Sequence, residues 1–196
     1  RVKSAVVVGR SYRMLGSMKN TPIFVNVAQM QFFIRKLMFN SRLLRGLLIS
    51  GVVLASDQFT KYWIILYVMQ PPQVIEVFPF FNLVMGWNYG VSFGMLNSAP
   101  EISTWLLPSV VITIITGLLF WLFRVDNLRQ AIGLGFIIGG AIGNLIDRLI
   151  FGAVADFLDF HIMGYHWPAF NIADAAITVG AIVMIIDTLF AGEKKP

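Results

Sequence analysis

With 196 residues, 57% of them hydrophobic and 13% charged, the chain carries more apolar surface than a soluble domain, for which about 45–50% is usual. Its length gives room for several membrane spans with short connections, and so for one bundle. The lack of cysteine excludes disulfides, thiolate metal sites and a thiol nucleophile, so any chemistry must use oxygen or nitrogen groups.

A net charge of +5 would suggest a nucleic-acid partner in a soluble protein, but the placement of the basic residues gives it another cause, and no such partner is expected. Nine of the fifteen Lys and Arg residues precede residue 46, Arg124 and Arg129 sit between two apolar runs, and Lys194 and Lys195 follow the last one. Only Lys61 and Arg148 lie within apolar segments.

Residues 1–45 read as a basic cytoplasmic or interfacial extension. Ala5 to Val8 and Pro22 to Ile34 are apolar but too short to span. Arg35, Lys36, Arg42 and Arg45 alternate with Phe32, Phe33, Leu37, Met38 and Phe39, a pattern suited to lying against anionic lipid. No small-residue cleavage pattern follows a short apolar core, so a cleaved leader is not expected.

Residues 46–67 form the first of four apolar segments near the roughly 20 residues that a helix needs to cross a bilayer core. Asp57 and Lys61 stand four residues apart within it, on one face and with the acid N-terminal, the favourable order for an ion pair. A structural pair holding helices together accounts for them better than direct chemistry. The connection 68–101 is more than a loop: Val74 to Phe78 and Leu83 to Phe93 are rich in β-branched and aromatic residues broken by Pro and Gly, and predict short strands on the membrane surface. Phe78, Phe80, Phe81, Trp87, Tyr89 and Phe93, with Tyr165, Trp167 and Phe170, would form an interfacial aromatic layer, either an anchor or part of a site for a lipid-bearing ligand.

The second and third spans are expected at 102–123 and 131–150. In the third, Gly139, Gly140 and Gly143 allow close helix approach ahead of Asn144, Asp147 and Arg148. Asn144 and Arg148 share a face and can offer donors to a carboxylate or to peptide carbonyls, while Asp147 could neutralise Arg148. The connection 151–170 carries Asp156, Asp159, His161 and His166. The fourth span, 171–191, opens on Asn171, a good N-cap, with Asp174 one turn in at the positive end of the helix dipole. Asp187 lies near its far end and is expected to be solvated or paired there.

Ordered this way, the segments 1–45, 124–130 and 192–196 hold thirteen Lys or Arg, and 68–101 and 151–170 hold none. Both termini are therefore expected to be cytoplasmic and the two long connections extracytoplasmic. Ionisable residues in membrane helices cost about 2.5–3.5 kcal/mol each on insertion scales, so they ask for partners or a function. Asp156 brought across the bundle mouth to Asp174 would share a proton with it: one carboxyl could activate water and the other protonate a leaving amine. An acidic rim plus a helix cap accounts for the same two residues. His161 and His166 fit no complete zinc ligand set, and no metal is expected.

Several separated stretches, taken in order, resemble one family. Asp57-Gln58-Phe59-Thr60-Lys61 is similar to D-x-x-[ST]-K, Asn88-Tyr89-Gly90-Val91-Ser92-Phe93-Gly94 to N-x-G-x-[AS]-F, and Gly143-Asn144-Leu145-Ile146-Asp147-Arg148 to G-N-x-x-D-R. Val154-Ala155-Asp156-Phe157 and Phe170-Asn171-Ile172-Ala173-Asp174 complete the pattern, which over residues 46–191 resembles lipoprotein signal peptidase, or signal peptidase II. The resemblance implies an all-α integral membrane protein with four transmembrane helices and a small β-rich extracytoplasmic cradle. It divides the chain into the extension 1–45, a peptidase domain 46–191 and a cytoplasmic tail 192–196.

It also implies an aspartic endopeptidase with a catalytic dyad of Asp156 and Asp174, leaving Asp159 outside the motif. Asn88, Gly90, Asn144, Arg148 and Asn171 would orient substrate and dyad, with Asp57, Lys61 and Asp147 in support. The implied substrate is a lipid-modified prolipoprotein, cut just before its diacylglyceryl-bearing cysteine in a bacterial inner membrane. Lipids would be the other partners, no cofactor is implied, and a monomer would suffice. The basic extension has no counterpart in the family pattern. The main rival is a small proton-coupled transporter or channel subunit, which predicts polar groups spread through the bilayer depth. A structural scaffold does not explain two acids flanking an Asn/Arg face. A presenilin-like or prepilin-peptidase-like protease would show Gly-x-Gly-Asp, and here Gly133-Leu134-Gly135 is followed by Phe136.

Overall fold

The computed structural model describes residues 41–90 and 100–191. In chain order it has helix α1 (Ser41–Trp63) continued by a π-helical turn (Ile64–Val68), strands β1 (Ile75–Phe78) and β2 (Phe81–Asn88), helices α2 (Pro100–Arg124) and α3 (Leu128–Phe151), strands β3 (Val154–Ile162) and β4 (Tyr165–His166), and helix α4 (Ile172–Ala191). Four of these helical segments are long and apolar enough to cross a membrane, as expected. Arg42 and Arg45 lie in the described helix Ser41–Trp63. The expected interfacial segment through Phe39, the residues 91–99 with Phe93, and the tail 192–196 lie outside the described residues.

The helices are turned inside out relative to a soluble bundle. On α1 the buried stripe is Leu43, Gly46, Ser50, Val53, Asp57 and Lys61, the 3-and-4 spacing of one helical face. Leu44, Leu47, Leu48, Val52 and Phe59 are exposed on the outside, where lipid solvates large apolar side chains. With no hydrophobic drive toward association in lipid, the inward faces use small residues for close packing and polar residues for hydrogen bonds.

Helix α3 is the hub, packed along α1 and α4, while α2 leans mainly on α3. A Cβ on Gly135 would come within 2.6 Å of Gly46 O, and one on Gly139 within 2.6 Å of Ser50 O. On its other side, a Cβ on Gly140 would run into Ala173 O, and Gly180 approaches Gly133 O just as tightly. These glycines therefore set the backbone spacing of α1 and α4 on the two flanks of α3.

The four strands form an antiparallel sheet in the order β1-β2-β3-β4. β2 pairs with β3 from Phe81↔Phe160 to Asn88↔Val154, with an irregularity between Leu83 and Gly86 that leaves Gly86 opposite Asp156. Met163 (φ 49°) and Gly164 (φ 81°) make the two-residue turn into β4, both central residues having the positive φ of a type I′ hairpin. Gly152 (φ 72°) ends α3, its N–H donating to Arg148 O, and turns the chain into β3. Ile64, Met69 and Phe157, with Leu83, Met85 and Ile172 around them, pin the sheet to the end of α1 and the start of α4. Of the aromatic residues expected to form a layer, Phe78, Phe80, Trp87, Tyr89, Tyr165 and Trp167 are exposed, whereas Phe81 and Phe170 are half-buried.

Gly139→Val is expected to destabilise the protein by about 1–3 kcal/mol through overpacking against Ser50 and Val53. Gly117→Ala, at a position with open space around it, is expected to be neutral or slightly stabilising. Thermal unfolding in detergent checks both. Equal Tm values for the two variants would refute the packing role given to Gly139.

Candidate active site

The polar residues of three helices and the sheet converge where α1 and α3 end and α4 begins. Its base is a buried ion cluster. Lys61 Nζ lies 2.8 Å from Asp57 Oδ2 and 2.9 Å from Asp147 Oδ2, with all three side chains withdrawn from solvent. Its third hydrogen goes to Asn144 Oδ1 at 2.9 Å, so the ammonium's three donors are all used. A charge in this position is tolerable only because every partner is satisfied.

Asp57 reaches further than the expected pair with Lys61. Its Oδ1 accepts the backbone N–H of Ala173 at 2.9 Å, one of the donors that the first turn of α4 leaves without an intrahelical partner. Asp147 makes no ion pair with Arg148 among the described residues. It is drawn to Lys61 and also accepts the Ala155 N–H at 3.2 Å, because the guanidinium points the other way and donates from Nη1 to Asn144 O at 3.2 Å. Arg148 Nε is buried and makes no hydrogen bond among the described residues.

Asn171 is the N-cap of α4, as expected. Its Oδ1 accepts the Asp174 N–H at 2.9 Å, and Asp174 Oδ2 accepts the Asn171 N–H at 3.3 Å, a reciprocal capping pair. Because the oxygen is committed to that N–H, the amide nitrogen must face the other way, and Asn171 Nδ2 donates to Asp156 Oδ1 at 2.7 Å. Asn88 Nδ2 donates to the other oxygen of Asp156 at 3.2 Å, and the Gly90 N–H donates to Asn88 Oδ1 at 3.3 Å. Asn144 Nδ2 donates to Asp174 Oδ1 at 2.7 Å. The fold thus brings Asp156, carried by the sheet, and Asp174, carried by a helix, into one hydrogen-bonded cluster through two asparagine amides.

Burial, and then the neighbouring Asp174 carboxylate, push the Asp156 carboxyl up to about 6, against the hydrogen bonds from Asn88 and Asn171 that favour its charged form. Asp159 behaves in the opposite sense. Burial works against its charge, but hydrogen bonds from His166 Nδ1 (2.9 Å) and Asn82 Nδ2 (3.1 Å) outweigh that and hold it below the ordinary carboxylate value. It belongs to a separate group with His166 and with His161, whose ring stacks on that of His166 at 4.7 Å. Asp187 is buried, not solvated: it accepts from Asn127 Nδ2 at 2.6 Å and Gln130 Nε2 at 2.9 Å at the opposite end of the bundle.

One residue of the cluster had no visible signal in the sequence. Gln58 Nε2 lies 3.2 Å from Asp57 Oδ2, 3.1 Å from Asp147 Oδ1 and 3.2 Å from Gly143 O, and so shares one Asp57 oxygen with Lys61 and takes the Asp147 oxygen that Lys61 leaves free. Gly143 leaves room for this arrangement, since a Cβ there would run into Asp57 Oδ2.

The family model described as Signal peptidase (SPase) II matches residues 49–190. The chain belongs to the signal peptidase II family. It is 41% identical to the lipoprotein signal peptidase of Alteromonas mediterranea over 81% of this chain and 87% of that one. It is 43% identical to the enzyme of that name from Burkholderia thailandensis over 72% of this chain and 85% of that one. A solved structure described as a bacterial membrane enzyme superposes with a TM-score of 0.67 at 33% identity, over 77% of this chain and 94% of that one. As a member of a signal peptidase II family with four membrane-spanning helices, the chain is a multi-pass membrane peptidase, and the transporter reading finds no support.

Because its folded value lies above the usual 3.8, Asp156 binds its proton more tightly in the folded state. The stability this contributes is complete below about pH 4 and is lost as pH rises through about 6. Asp156→Asn lacks that loss, so its Tm relative to the unsubstituted protein is expected to rise between about pH 4 and about pH 8. A difference in Tm that stays constant across the range would contradict the placement of this carboxyl.

Proposed function

We propose that this signal peptidase II family member is an aspartic endopeptidase that removes signal peptides from prolipoproteins carrying a diacylglyceryl group on cysteine, cutting just before that cysteine. The observation that carries this reading is the pairing of two carboxyl groups from different elements, Asp156 and Asp174, on one set of asparagine donors at the mouth of the bundle. Two neighbouring carboxyls, one of them raised toward neutrality by burial, can divide the labour of hydrolysis. Asp174 in its carboxylate form takes a proton from water, whose oxygen attacks the scissile carbonyl carbon. Asp156 in its acid form delivers a proton to the departing amine as the C–N bond breaks.

Asn88, Gly90 and Arg148 face the same mouth and are suited to the substrate backbone. The Arg148 guanidinium has more N–H groups than the one it gives to Asn144 O, and these are suited to a peptide carbonyl. The positive-inside distribution supports an inner-membrane orientation with both termini cytoplasmic and the dyad near the outer face. A signal helix would then approach within the membrane, water would enter from outside, and acyl chains would lie along the lipid-facing helices. Nothing in this chemistry asks for a second copy of the chain.

Cleavage of a synthetic lipopeptide, with and without the diacylglyceryl group, by the detergent-purified protein tests the reading. Lipid-dependent cleavage is expected just before the modified cysteine, with kcat lowered by roughly a thousandfold or more in Asp174→Asn at nearly unchanged Tm. Near-normal turnover by Asp174→Asn would sink the dyad. Equal cleavage of unmodified peptide would sink the substrate assignment.

A further inference from the structure

The ion cluster beneath the dyad does more than neutralise itself, because its geometry dictates which way one amide faces. Asn144 lies between Lys61 on α1 and Asp174 on α4, with one end of its amide 2.9 Å from the ammonium and the other 2.7 Å from the carboxylate. An amide can turn over by 180° about its last torsion, which exchanges a donor for an acceptor. Turned one way it gives Asp174 an N–H group. Turned the other way it gives Asp174 an oxygen, and lone pairs face lone pairs.

We propose that Lys61, held by Asp57, Asp147 and Gln58, is a positioning residue that locks the Asn144 amide so that its N–H group, not its oxygen, faces Asp174. The inference rests on the dyad reading and concerns how that dyad is kept ready. The ammonium has three hydrogens and no acceptor, so whatever part of Asn144 faces it must be oxygen. Two of those hydrogens are taken by Asp57 Oδ2 and Asp147 Oδ2, which aim the third at Asn144. Asp57 is held at its other oxygen by the Ala173 N–H and Asp147 at its other oxygen by Gln58 Nε2, so neither can swing away from the lysine.

Asn171 Nδ2 also approaches Asn144 Oδ1, at 3.2 Å, but its two hydrogens have other acceptors in Asp156 Oδ1 at 2.7 Å and Ala155 O at 3.2 Å. The Lys61 bond is the shorter and the charged one, and it sets the orientation. The site thus has two orientation locks of different origin. A backbone N–H locks Asn171 so that it donates to Asp156, and a buried cation locks Asn144 so that it donates to Asp174.

Removing Lys61 alone would strand two buried carboxylates, so the test uses Lys61→Met combined with Asp147→Asn. This pair keeps the net charge of the cluster, removes the obligate donor and exchanges one Asp147 oxygen for an amide nitrogen. Turnover of the diacylglyceryl lipopeptide is measured as kcat and KM, with Tm as the check on folding. The double variant is expected to lose roughly tenfold or more in kcat with KM changed by less than about twofold. Asn144→Leu is expected to cost a similar factor in the unsubstituted protein and almost nothing further in the double variant, since both remove the same donor.

Independent, multiplying losses would overturn the proposal, as would a folded double variant with full kcat. If the double variant does not fold, Asn144→Asp decides the question. It keeps an oxygen for Lys61 and the shape of the site but offers Asp174 no N–H. A folded Asn144→Asp protein with normal kcat at neutral pH refutes the lock, and a kcat as low as that of Asn144→Leu supports it. Activity surviving in Asp174→Asn would instead refute the dyad itself, so the two failures are distinguishable.

Discussion

The hydrogen bond from the Ala173 N–H to Asp57 Oδ1 ties the start of one membrane helix to the end of another, and the positions of the residues around it follow from it. A helix entering a bilayer leaves its first N–H groups without partners, and lipid supplies none. Here a carboxylate from α1 takes one of those donors and Asn171 takes the next. The cost of burying Asp57 is offset by Lys61, and that lysine in turn requires Asp147 and Asn144 to occupy its other hydrogens. Each polar group is thereby committed to the next, and a chain of contacts runs from α1 through α3 to the two carboxyls at the mouth. A network of this kind is costly when half satisfied and rigid when complete, which suits a site whose groups must hold their directions.

The glycines of α3 make that chain geometrically possible. Side chains as short as Asp and Asn can bridge helices only if the backbones approach closely, and Gly135, Gly139, Gly140 and Gly143 permit that approach on both flanks of α3. Gly143 also vacates the space that the Asp57 carboxylate occupies. The same residues that let the helices associate in lipid therefore set the reach of the polar side chains, and packing and site geometry are one problem.

The two carboxyls are presented by supports of different stiffness and chemistry. Asp174 lies in the first turn of a capped helix, while Asp156 lies on a strand whose partner position is Gly86. The sheet is fastened to the helix ends by Ile64, Met69 and Phe157, so the strand cannot drift from the bundle without breaking that apolar cluster. Burial and the neighbouring charge raise Asp156 toward neutrality, and the asparagine donors keep it titratable. At the opposite end of the bundle Asp187 is held by Asn127 and Gln130 and joins α4 to the start of α3, away from the dyad.

Much of this was written in composition and local pattern. Span length, the absence of basic residues from two connections, the N-cap Asn171, the i, i+4 pair of Asp57 and Lys61, and the β-branched character of the first connection are all local properties, and physics acts on them locally. The ordered motifs carried the family, and with it the grouping of Asp156 with Asp174 and the exclusion of Asp159. What spacing could not reveal was every contact between elements. Asp147 is adjacent to Arg148 in the chain yet pairs with Lys61, because the α3 face it shares points at α1. Gln58 sits at an unremarked position of its motif and bridges two acids that are 90 residues apart in the chain, a contact created only by helix packing. The facing of each asparagine amide depends on which neighbour lacks an acceptor or a donor, and that is known only once the helices and the sheet have come together.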